Sequence, residues 1–432
     1  MFKECIMKKL LATLISLLLI AVCVTGLVAC GNGDDEGANA KFKYNITVWV
    51  GEDTKALTEQ LITKFNKEND KSIWFTADVK EMTESAASGD VLAKPASAPE
   101  IFCFAQDQIA RLVNSKLLAI PNGAIQQSIK DTHSDTAVKA ATVGNTIYAY
   151  PLTEDNGYFL YYDTRVVSAE QAKTVEGIIA ACESQNKYFS FNLGGGWYAA
   201  SFYYATDENG NSLCKSEWTV DDQGRFVAHD DTFNSANGMI ASRGMQKVLK
   251  SSRYLANGKA SDFNSSIPAG AVVSGIWDYQ TAKNALGENL GMAKLPTFEI
   301  DGKTYQLRSY LGSKLMGVTP QTDGNKAAAL ALLAQFLTNE QSQLARFEAL
   351  GWGPSVKTAQ NNEAVKANAA LNFLKLTATV SQGQYPANWW SKAEALSNRI
   401  KAAADATATG SSTTALQSAL DLYSGGLDSL LG

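Results

Sequence analysis

Apolar and polar positions follow two different periods at the start of the folded part of the chain. Residues 46–50 alternate Ile, Val and Val with Thr and Trp, which predicts a β-strand. After a polar turn at residues 51–53, apolar side chains recur at helical spacing along residues 57–65. Further strands are predicted at residues 75–79 and 100–105. Because these strands alternate with helices, the pattern predicts an α/β fold built on a parallel sheet.

Two polar stretches interrupt this pattern later in the chain. Residues 152–157 separate two aromatic-rich extended segments, and we interpret them as a first domain boundary. Residues 296–305 follow two predicted strands and are interpreted as a second crossing. A strong helical pattern then runs to Leu350, and the glycines and proline of residues 351–354 end it.

The N-terminus has the pattern of an export signal. Three lysines precede an uncharged apolar run over residues 10–28, which closes with Leu27-Val28-Ala29-Cys30. This tetrapeptide resembles a bacterial lipobox, which implies cleavage of a signal peptide at residues 1–29 and a lipid, such as palmitate, on Cys30. An uncleaved transmembrane helix is the alternative, since the run is nearly long enough to span a bilayer. The small and acidic side chains that dominate residues 30–40 predict a flexible acidic tether.

Composition narrows the classes of protein. The 432 residues are 45% hydrophobic and 19% charged, which indicates a globular protein of two or three domains. The net charge is −5, and the folded part has no basic cluster. These two facts argue against the basic surface that a nucleic-acid-binding protein needs. Three cysteines, Cys103, Cys182 and Cys214, lie outside the signal, so either one disulfide with a buried thiol or three buried thiols are possible.

The sequence offers little material for catalysis. His133 and His229 are the only histidines, and neither lies near a cysteine or serine motif. No cysteine and histidine spacing indicates a metal site. The glycines at residues 194–196 lack the Lys-Ser/Thr ending of a phosphate-binding loop. No nucleophile, metal or cofactor is therefore predicted.

Aromatic residues are the stronger signal. Three glycines at residues 194–196 are followed at once by Trp197 and Tyr198, so that backbone and two broad rings are exposed together. Most other tryptophans also stand beside Gly, Pro, Asp or Asn, at predicted strand ends where α/β proteins bind ligands. Such rings suit stacking on sugars, whose C–H faces are apolar and whose hydroxyls bond to carboxylates and amides.

This order of segments resembles the extracellular solute-binding proteins of bacterial sugar ABC transporters, in the maltose-binding-protein-like family 1, and the likeness covers nearly all of the mature chain. Residues 46–50 look like the family's opening strand, and residues 98–107 look like its strand that ends in an aromatic and an acid. Residues 148–163 resemble the segment at the first hinge. Residues 192–198 resemble the segment whose aromatic pair packs on the sugar, and residues 275–278 resemble its Gly-x-Trp element.

By this resemblance Phe104, Trp197, Tyr198 and Trp277 would stack on sugar and Asp107 would bind hydroxyls. Glu154 and Asn156 compete for one carboxylate position, and Trp389 and Trp390 compete for the last aromatic one. The complete set of predicted ligand-binding residues is Trp49, Glu52, Asp53, Phe104, Asp107, Glu154, Asn156, Trp197, Tyr198, Trp277, Trp352, Trp389 and Trp390. Gly195 stands where the maltose binders have an acid, which argues for sugar as the class and against assuming maltose.

The resemblance implies an α/β, two-lobed, type II periplasmic-binding-protein-like fold with a ligand cleft between lobes joined by three crossings. Residues 41–153 and 303–352 would form the N-terminal lobe, and residues 154–302 and 353–432 the C-terminal lobe. The chain would be a monomeric lipoprotein on the outer side of the cell membrane, without enzymatic activity, that delivers a carbohydrate to permease subunits. The alternatives are a secreted carbohydrate-active enzyme, which needs two carboxylates at hydrolase separation, and a surface adhesin or sensor that binds protein.

Overall fold

The computed structural model describes residues 37, 40–69, 72–403 and 414–432, which form a mixed α/β fold. The predicted signal peptide and Cys30 lie outside these residues, and so does most of the predicted tether. None of the helices in the described part of the chain is long and apolar enough to cross a membrane.

The strands of the described residues are short, and most are two to seven residues long. They are β1 Phe42–Val50, β2 Ile73–Glu81, β3 Ile101–Ala105, β4 Thr142–Val143, β5 Thr146–Ile147, β6 Tyr150–Pro151, β7 Tyr158–Asp163, β8 Tyr188–Ser190, β9 Ser216–Val220, β10 Phe226–Asp231, β11 Tyr254–Leu255, β12 Ala269–Gly275, β13 Leu290–Ala293, β14 Thr297–Ile300, β15 Lys303–Gln306, β16 Ser309–Leu311, β17 Lys314–Val318 and β18 Ala378–Ser381.

The helices lie between these strands and, after β17, follow one another almost without interruption. They are α1 Lys55–Glu68, α2 Glu84–Ala93, α3 Ile109–Asn114, α4 Gly123–Thr132, α5 Asp135–Ala140, α6 Val175–Ser184, α7 Gly196–Tyr203, α8 Ala236–Leu249, α9 Tyr279–Leu286, α10 Gly324–Leu337, α11 Glu340–Leu350, α12 Lys357–Gln360, α13 Glu363–Lys366, α14 Ala369–Thr377, α15 Trp389–Ala402 and α16 Thr414–Ser424. Short 3₁₀ turns at Gln106–Gln108 and Ile276–Asp278 follow β3 and β12.

The first sheet has the strand order β2-β1-β3-β17-β6. Strands β1, β2 and β3 run parallel, whereas β17 runs antiparallel to both β3 and β6. The prediction of a parallel sheet is therefore confirmed for its first three strands only. Alternate residues of β1, Ile46, Val48 and Val50, are buried as the two-residue period predicts. They pack in one core with the inner face of α1 and with α10.

The second sheet has the order β11-β8-β12-β7-β13. Strands β11, β8 and β12 are parallel, and β7 runs antiparallel to β12 and β13. Every residue of β7 is buried, because a separate apolar cluster covers each face of this sheet. Helix α14 contributes to one of these clusters, and helices α15 and α16 contribute to the other.

The chain passes between the sheets more than once. It leaves the first sheet after Pro151 and enters the second at Tyr158, and it re-enters the first sheet at Lys314. Residues 296–305, interpreted from sequence as a crossing, contain the hairpin of β14 and β15 instead. Phe298 and Tyr305 of this hairpin are buried in the core of the second sheet.

The helix break predicted at residues 351–354 is present. Helix α11 ends at Gly351, whose φ of 74° lies in the left-handed region that favours glycine. The backbone N–H of Gly353 then donates to Asp155 Oδ2 at 2.6 Å, and Gly353 O accepts from the N–H of Glu154. This turn is thereby tied to the first passage between the sheets.

Cys103, Cys182 and Cys214 are free thiols, and all three are buried. Of the two possibilities that the sequence left open, three buried thiols is the one observed. Burial raises the pKa of each thiol to about 12, so none of them is a thiolate at neutral pH.

We expect these three thiols to be unreactive towards thiol reagents in the folded protein. A thiol reagent should modify Cys103, Cys182 and Cys214 only after unfolding in guanidinium, without prior reduction, because the thiols are both enclosed and protonated. Peptide mapping by mass spectrometry checks each site separately. A disulfide-linked peptide in a non-reduced digest, or a melting temperature lowered by dithiothreitol, would contradict this assignment.

Candidate ligand cleft

The edges of the two sheets supply the candidate functional residues. Strands β1 and β3 of the first sheet end at Val50 and Ala105, and β17 begins at Lys314, which pairs with Ala105. In the second sheet β8 and β12 end at Ser190 and Gly275. Ligand sites of α/β proteins form where parallel strands end, so the segments that follow these residues are the ones to inspect.

The segment after β8 places Trp197 and Tyr198 at the first turn of α7. Trp197 stacks against Tyr310, with ring centroids 4.7 Å apart and an interplanar angle of 29°. Its ring also lies 5.8 Å from that of Trp390 on α15. Trp197, Tyr198 and Trp390 are all half-buried, so each keeps part of its surface accessible.

Gly196 explains why this segment is glycine-rich. A Cβ at Gly196 would lie 2.7 Å from Ala393 Cβ and 2.9 Å from Trp390 O, so no other residue fits without a shift of α15. The same atom at Gly194 or Gly195 would make only ordinary contacts, at 3.7 Å and 3.4 Å. Close packing of α7 on α15 therefore requires only the third glycine.

Three tyrosine hydroxyls form a closed triangle beneath these rings. Tyr204, Tyr310 and Tyr385 have hydroxyl oxygens 3.3 to 3.4 Å apart. All three are buried, and burial raises the pKa of each hydroxyl, so the triangle stays protonated. It fixes the plane of Tyr310, on which Trp197 stacks.

Asp107 connects the first sheet to this aromatic group. Its Oδ2 accepts from the indole N–H of Trp390 at 2.9 Å, and its Oδ1 accepts from the Gln382 amide at 3.3 Å. The Gln108 amide also donates to Oδ2. Asp107 is 5% exposed, and burial raises the pKa of its carboxyl from 3.8 to about 6, although these hydrogen bonds and the charge of Arg111 oppose the shift.

Lys314 is the centre of a second group, which we name the lysine cluster: Lys314, Glu84, Asp155, Trp277 and Trp352. The Lys314 ammonium lies 3.1 Å from Glu84 Oε1, 3.7 Å from the centroid of the Trp352 ring and 5.9 Å from that of Trp277. Such distances are those of an ion pair and of cation–π contacts. The cluster joins the first sheet to Trp277, which follows β12 of the second sheet.

Glu154 and Asn156 lie in the passage between the sheets. Glu154 Oε2 accepts from Ser134 and Gln360, at 2.5 and 2.8 Å. Asn156 exchanges two backbone hydrogen bonds of 3.0 Å with Gly312. Both residues thus brace the chain where it changes sheets, while the carboxyl of Asp155 between them interacts electrostatically with Lys314 and Glu84 of the lysine cluster.

The remaining predicted residues differ in their surroundings. Glu52 and Asp53 are exposed in the turn after β1. Trp49 is half-buried, and its indole N–H has no hydrogen-bond partner among the residues that the structure describes. Phe104 is fully buried, 5.3 Å from the ring of Phe102, and Trp389 is fully buried. Because neither Phe104 nor Trp389 presents a ring face to the cleft, we leave both out of the proposed contacts.

Sequence reasoning missed Lys314, Glu84, Asp155, Tyr310 and Gln382. Their positions depend on contacts between distant segments, which no local pattern reveals. One signal was available for Lys314, since a lysine at the start of an otherwise apolar strand needs a partner when buried. Within the described residues no group of His, Cys, Asp and Glu is arranged to hold a metal ion.

Residues 60–372 match the sequence model of the family described as Bacterial extracellular solute-binding protein. The match spans well over half of the chain, which therefore belongs to this family of bacterial extracellular solute-binding proteins. No curated protein sequence matches.

Solved structures of the same fold are numerous. One that is described as being with acarbose has a TM-score of 0.73 and 27% identity, over 90% of this chain and all of the other. The maltodextrin binding protein MalE1 from L. casei BL23, without ligand, has a TM-score of 0.71 and 21% identity, over 89% of this chain and 99% of the other. A cyclo/maltodextrin-binding protein complexed with maltotetraose has a TM-score of 0.65 and 21% identity, over 90% of this chain and 98% of the other. The fold is thus the predicted two-lobed, type II one.

The buried carboxyl of Asp107 should make stability depend on pH. Its pKa is higher in the folded state than in the unfolded state, so its contribution is complete below pH of about 4 and is lost as the pH rises through about 6. We expect the free energy of unfolding of the wild type, relative to Asp107→Asn, to fall by on the order of 2 kcal/mol between these pH values. Urea unfolding at each pH measures this difference.

The comparison with Asp107→Asn also removes the opposing effect of His133. Burial lowers the pKa of His133 to about 4, so its contribution is lost as the pH falls, but equally in both proteins. A difference that stays constant across this pH range would contradict the raised pKa of the buried Asp107 carboxyl.

Proposed function

We propose that this chain captures a carbohydrate outside the cytoplasm and delivers it to the permease of an ABC transporter. The observation that carries the proposal is that indole rings and carboxyl groups lie near one another in segments that follow strands of both sheets. Trp390, which packs on Trp197, donates to Asp107, and the Lys314 ammonium, whose charge acts on Asp155, lies 5.9 Å from the centroid of the Trp277 ring. Flat apolar rings beside hydrogen-bonding acids match the two kinds of surface on a sugar. Membership of a solute-binding family and the maltodextrin and acarbose named for its structural neighbours support the same class of ligand.

The proposed action is capture without chemistry. The lobes open and close, and the sugar stabilises the closed form because it contacts both of them, which supplies the difference in affinity that a shift in population requires. The closed, loaded form is then the one presented to the permease. For the first lobe we keep residues 41–153 as the first segment. For the second lobe we extend the predicted segment 154–302 to the end of the hairpin of β14 and β15 at Gln306, because the side chains of this hairpin pack there.

A sugar ligand should be detectable by stability and by fluorescence. We expect maltotetraose to raise the melting temperature and to quench tryptophan fluorescence, and Trp277→Ala to weaken binding by about tenfold or more, since stacking area is lost at a buried contact. The control is Trp218→Phe, because Trp218 packs on Phe226 and His229 in the hairpin of β9 and β10. Equal affinity of Trp277→Ala and the wild type would remove Trp277 from the site.

We further propose that the mature chain is held at the membrane by lipid on Cys30. In bacteria that express the full chain, the wild type should lose residues 1–29, stay in the membrane fraction and carry acyl chains, whereas Cys30→Ala should carry none, because two or more acyl chains on this cysteine are what make the lasting anchor. Incorporation of labelled palmitate provides the direct readout. A wild-type chain that stays in the membrane fraction, carries no label and keeps residues 1–29 would favour the uncleaved transmembrane helix.

A further inference from the structure

The lysine cluster contains more charge than its own contacts satisfy. The Lys314 side chain is only 5% exposed and the Glu84 side chain 17%. Although Lys314 and Glu84 form an ion pair, Glu84 Oε1 has no hydrogen-bond partner within the described residues. Buried charges are costly unless both Coulombic and hydrogen-bond requirements are met, so this pair alone is a poor way to stabilise the fold.

Asp155 adds a second unsatisfied atom to the cluster. It is fully buried, and its Oδ2 accepts from the N–H of Gly353. The Thr153 side chain also interacts with this carboxyl, but within the described part of the chain no hydrogen bond of good geometry reaches Oδ1. Burial raises the pKa of its carboxyl, while the positive charge of Lys314 opposes that shift and so acts on this group directly. Buried polar atoms without partners are rare in folded proteins and call for a ligand or water.

The walls of the cluster are aromatic and come from both halves of the molecule. Trp352 lies against the Lys314 ammonium after the last helix of the first core, and Trp277 approaches from the second sheet. Gly51 lies directly beside Glu84 and Trp352 of the cluster. A Cβ at this position would be 2.8 Å from Glu84 Oε1 and 3.0 Å from Trp352 Cη2, so only glycine leaves room here. A flat ring entering here would meet two indole faces, one donor and two acceptors.

We infer that the lysine cluster is a sugar subsite in which Lys314 donates to ligand hydroxyls, Glu84 and Asp155 accept from them, and the excess of carboxyl groups selects neutral rings over carboxylated ones. This inference rests on the proposed function and adds the charge specificity of the ligand to it. Hydroxyls of a neutral pyranose supply hydrogen bonds to Glu84 Oε1 and Asp155 Oδ1, whereas a uronate would place a third carboxylate beside them.

Two matched probes test the inference: maltotetraose, and maltotetraose with every C6 hydroxymethyl oxidised to a carboxylate. Isothermal titration should show that the wild type prefers the neutral sugar. Lys314→Met should bind maltotetraose about 10- to 100-fold more weakly, because a charge-assisted donor is lost. Glu84→Gln should bind the oxidised sugar at least about tenfold more tightly than the wild type does, since Lys314 is then free to pair with it.

The ion pair of Lys326 and Glu100 provides matched controls. Its 2.8 Å contact lies at the start of β3, the opposite end from Asp107, so Lys326→Met and Glu100→Gln should leave both affinities unchanged. The double variant Lys314→Met/Glu84→Gln removes both charges together and avoids an unpaired buried ion. It should fold, bind maltotetraose as weakly as Lys314→Met and show no gain for the oxidised sugar.

The outcomes separate this inference from the proposed function. If the wild type binds maltotetraose but the Lys314 and Glu84 variants match their controls, the cluster is a structural ion pair and the inference fails alone. If the wild type binds neither probe, the proposed carbohydrate function fails and the inference with it. A gain for the oxidised sugar in Glu84→Gln supports the inference in a way that a loss of folding cannot mimic.

Discussion

One buried carboxyl group, Asp107, links the two halves of the molecule through side-chain hydrogen bonds. It follows the last residue of β3 in the first sheet, and it accepts hydrogen bonds from Trp390 and Gln382, which belong to the C-terminal part of the chain. Because Asp107 is buried, the free-energy cost of leaving its carboxyl without hydrogen bonds is large. The Trp390 indole and the Gln382 amide are therefore held in the positions from which they donate to it. The orientation of Trp390, and through it that of Trp197, depends on this contact.

This arrangement has a consequence for binding. A ligand that is to reach Asp107 must replace the hydrogen bonds that Trp390 and Gln382 make with it, so part of the ligand's interaction free energy is used to separate groups that already satisfy one another. The apparent affinity is then lower than the contacts alone suggest, by the fraction of molecules in which the carboxyl is accessible. The lysine cluster differs, because Glu84 Oε1 and Asp155 Oδ1 accept no hydrogen bond of good geometry within the described residues.

Much of the fold follows from local pattern, and the rest depends on contacts that no local pattern contains. The alternation in β1 and the helical spacing in α1 identify both elements, and the polar residues 152–157 mark the passage between sheets. The direction of β17 could not be predicted in this way, because its partner β3 lies more than two hundred residues earlier. The hairpin of β14 and β15 was mistaken for a crossing because its polar turn resembles one.

The site divides in the same way. Asp107, Trp197, Trp277 and Trp390 were nominated by the order of family-like segments. The structure links Asp107, Trp390 and Trp197 by direct contacts, and it places Trp277 near Lys314 of the first sheet. Trp389 could not be told from Trp390 in sequence, since neighbours on a helix point about 100° apart and only packing decides which one faces the cleft. Phe104 was nominated by position along β3, but side chains of a central strand are buried on both faces.

The glycines before Trp197 differ in their surroundings, and this difference decides which of them tolerates substitution. Gly196 is confined by Ala393 and Trp390, so any larger residue there would push α7 away from α15. Gly195 has φ −92° and ψ 131°, which any residue adopts, and it is the N-cap of α7, where a carboxylate is favourable. A single acidic substitution at Gly195 therefore offers evolution, or an engineer, a route to a new ligand preference without repacking of the lobe.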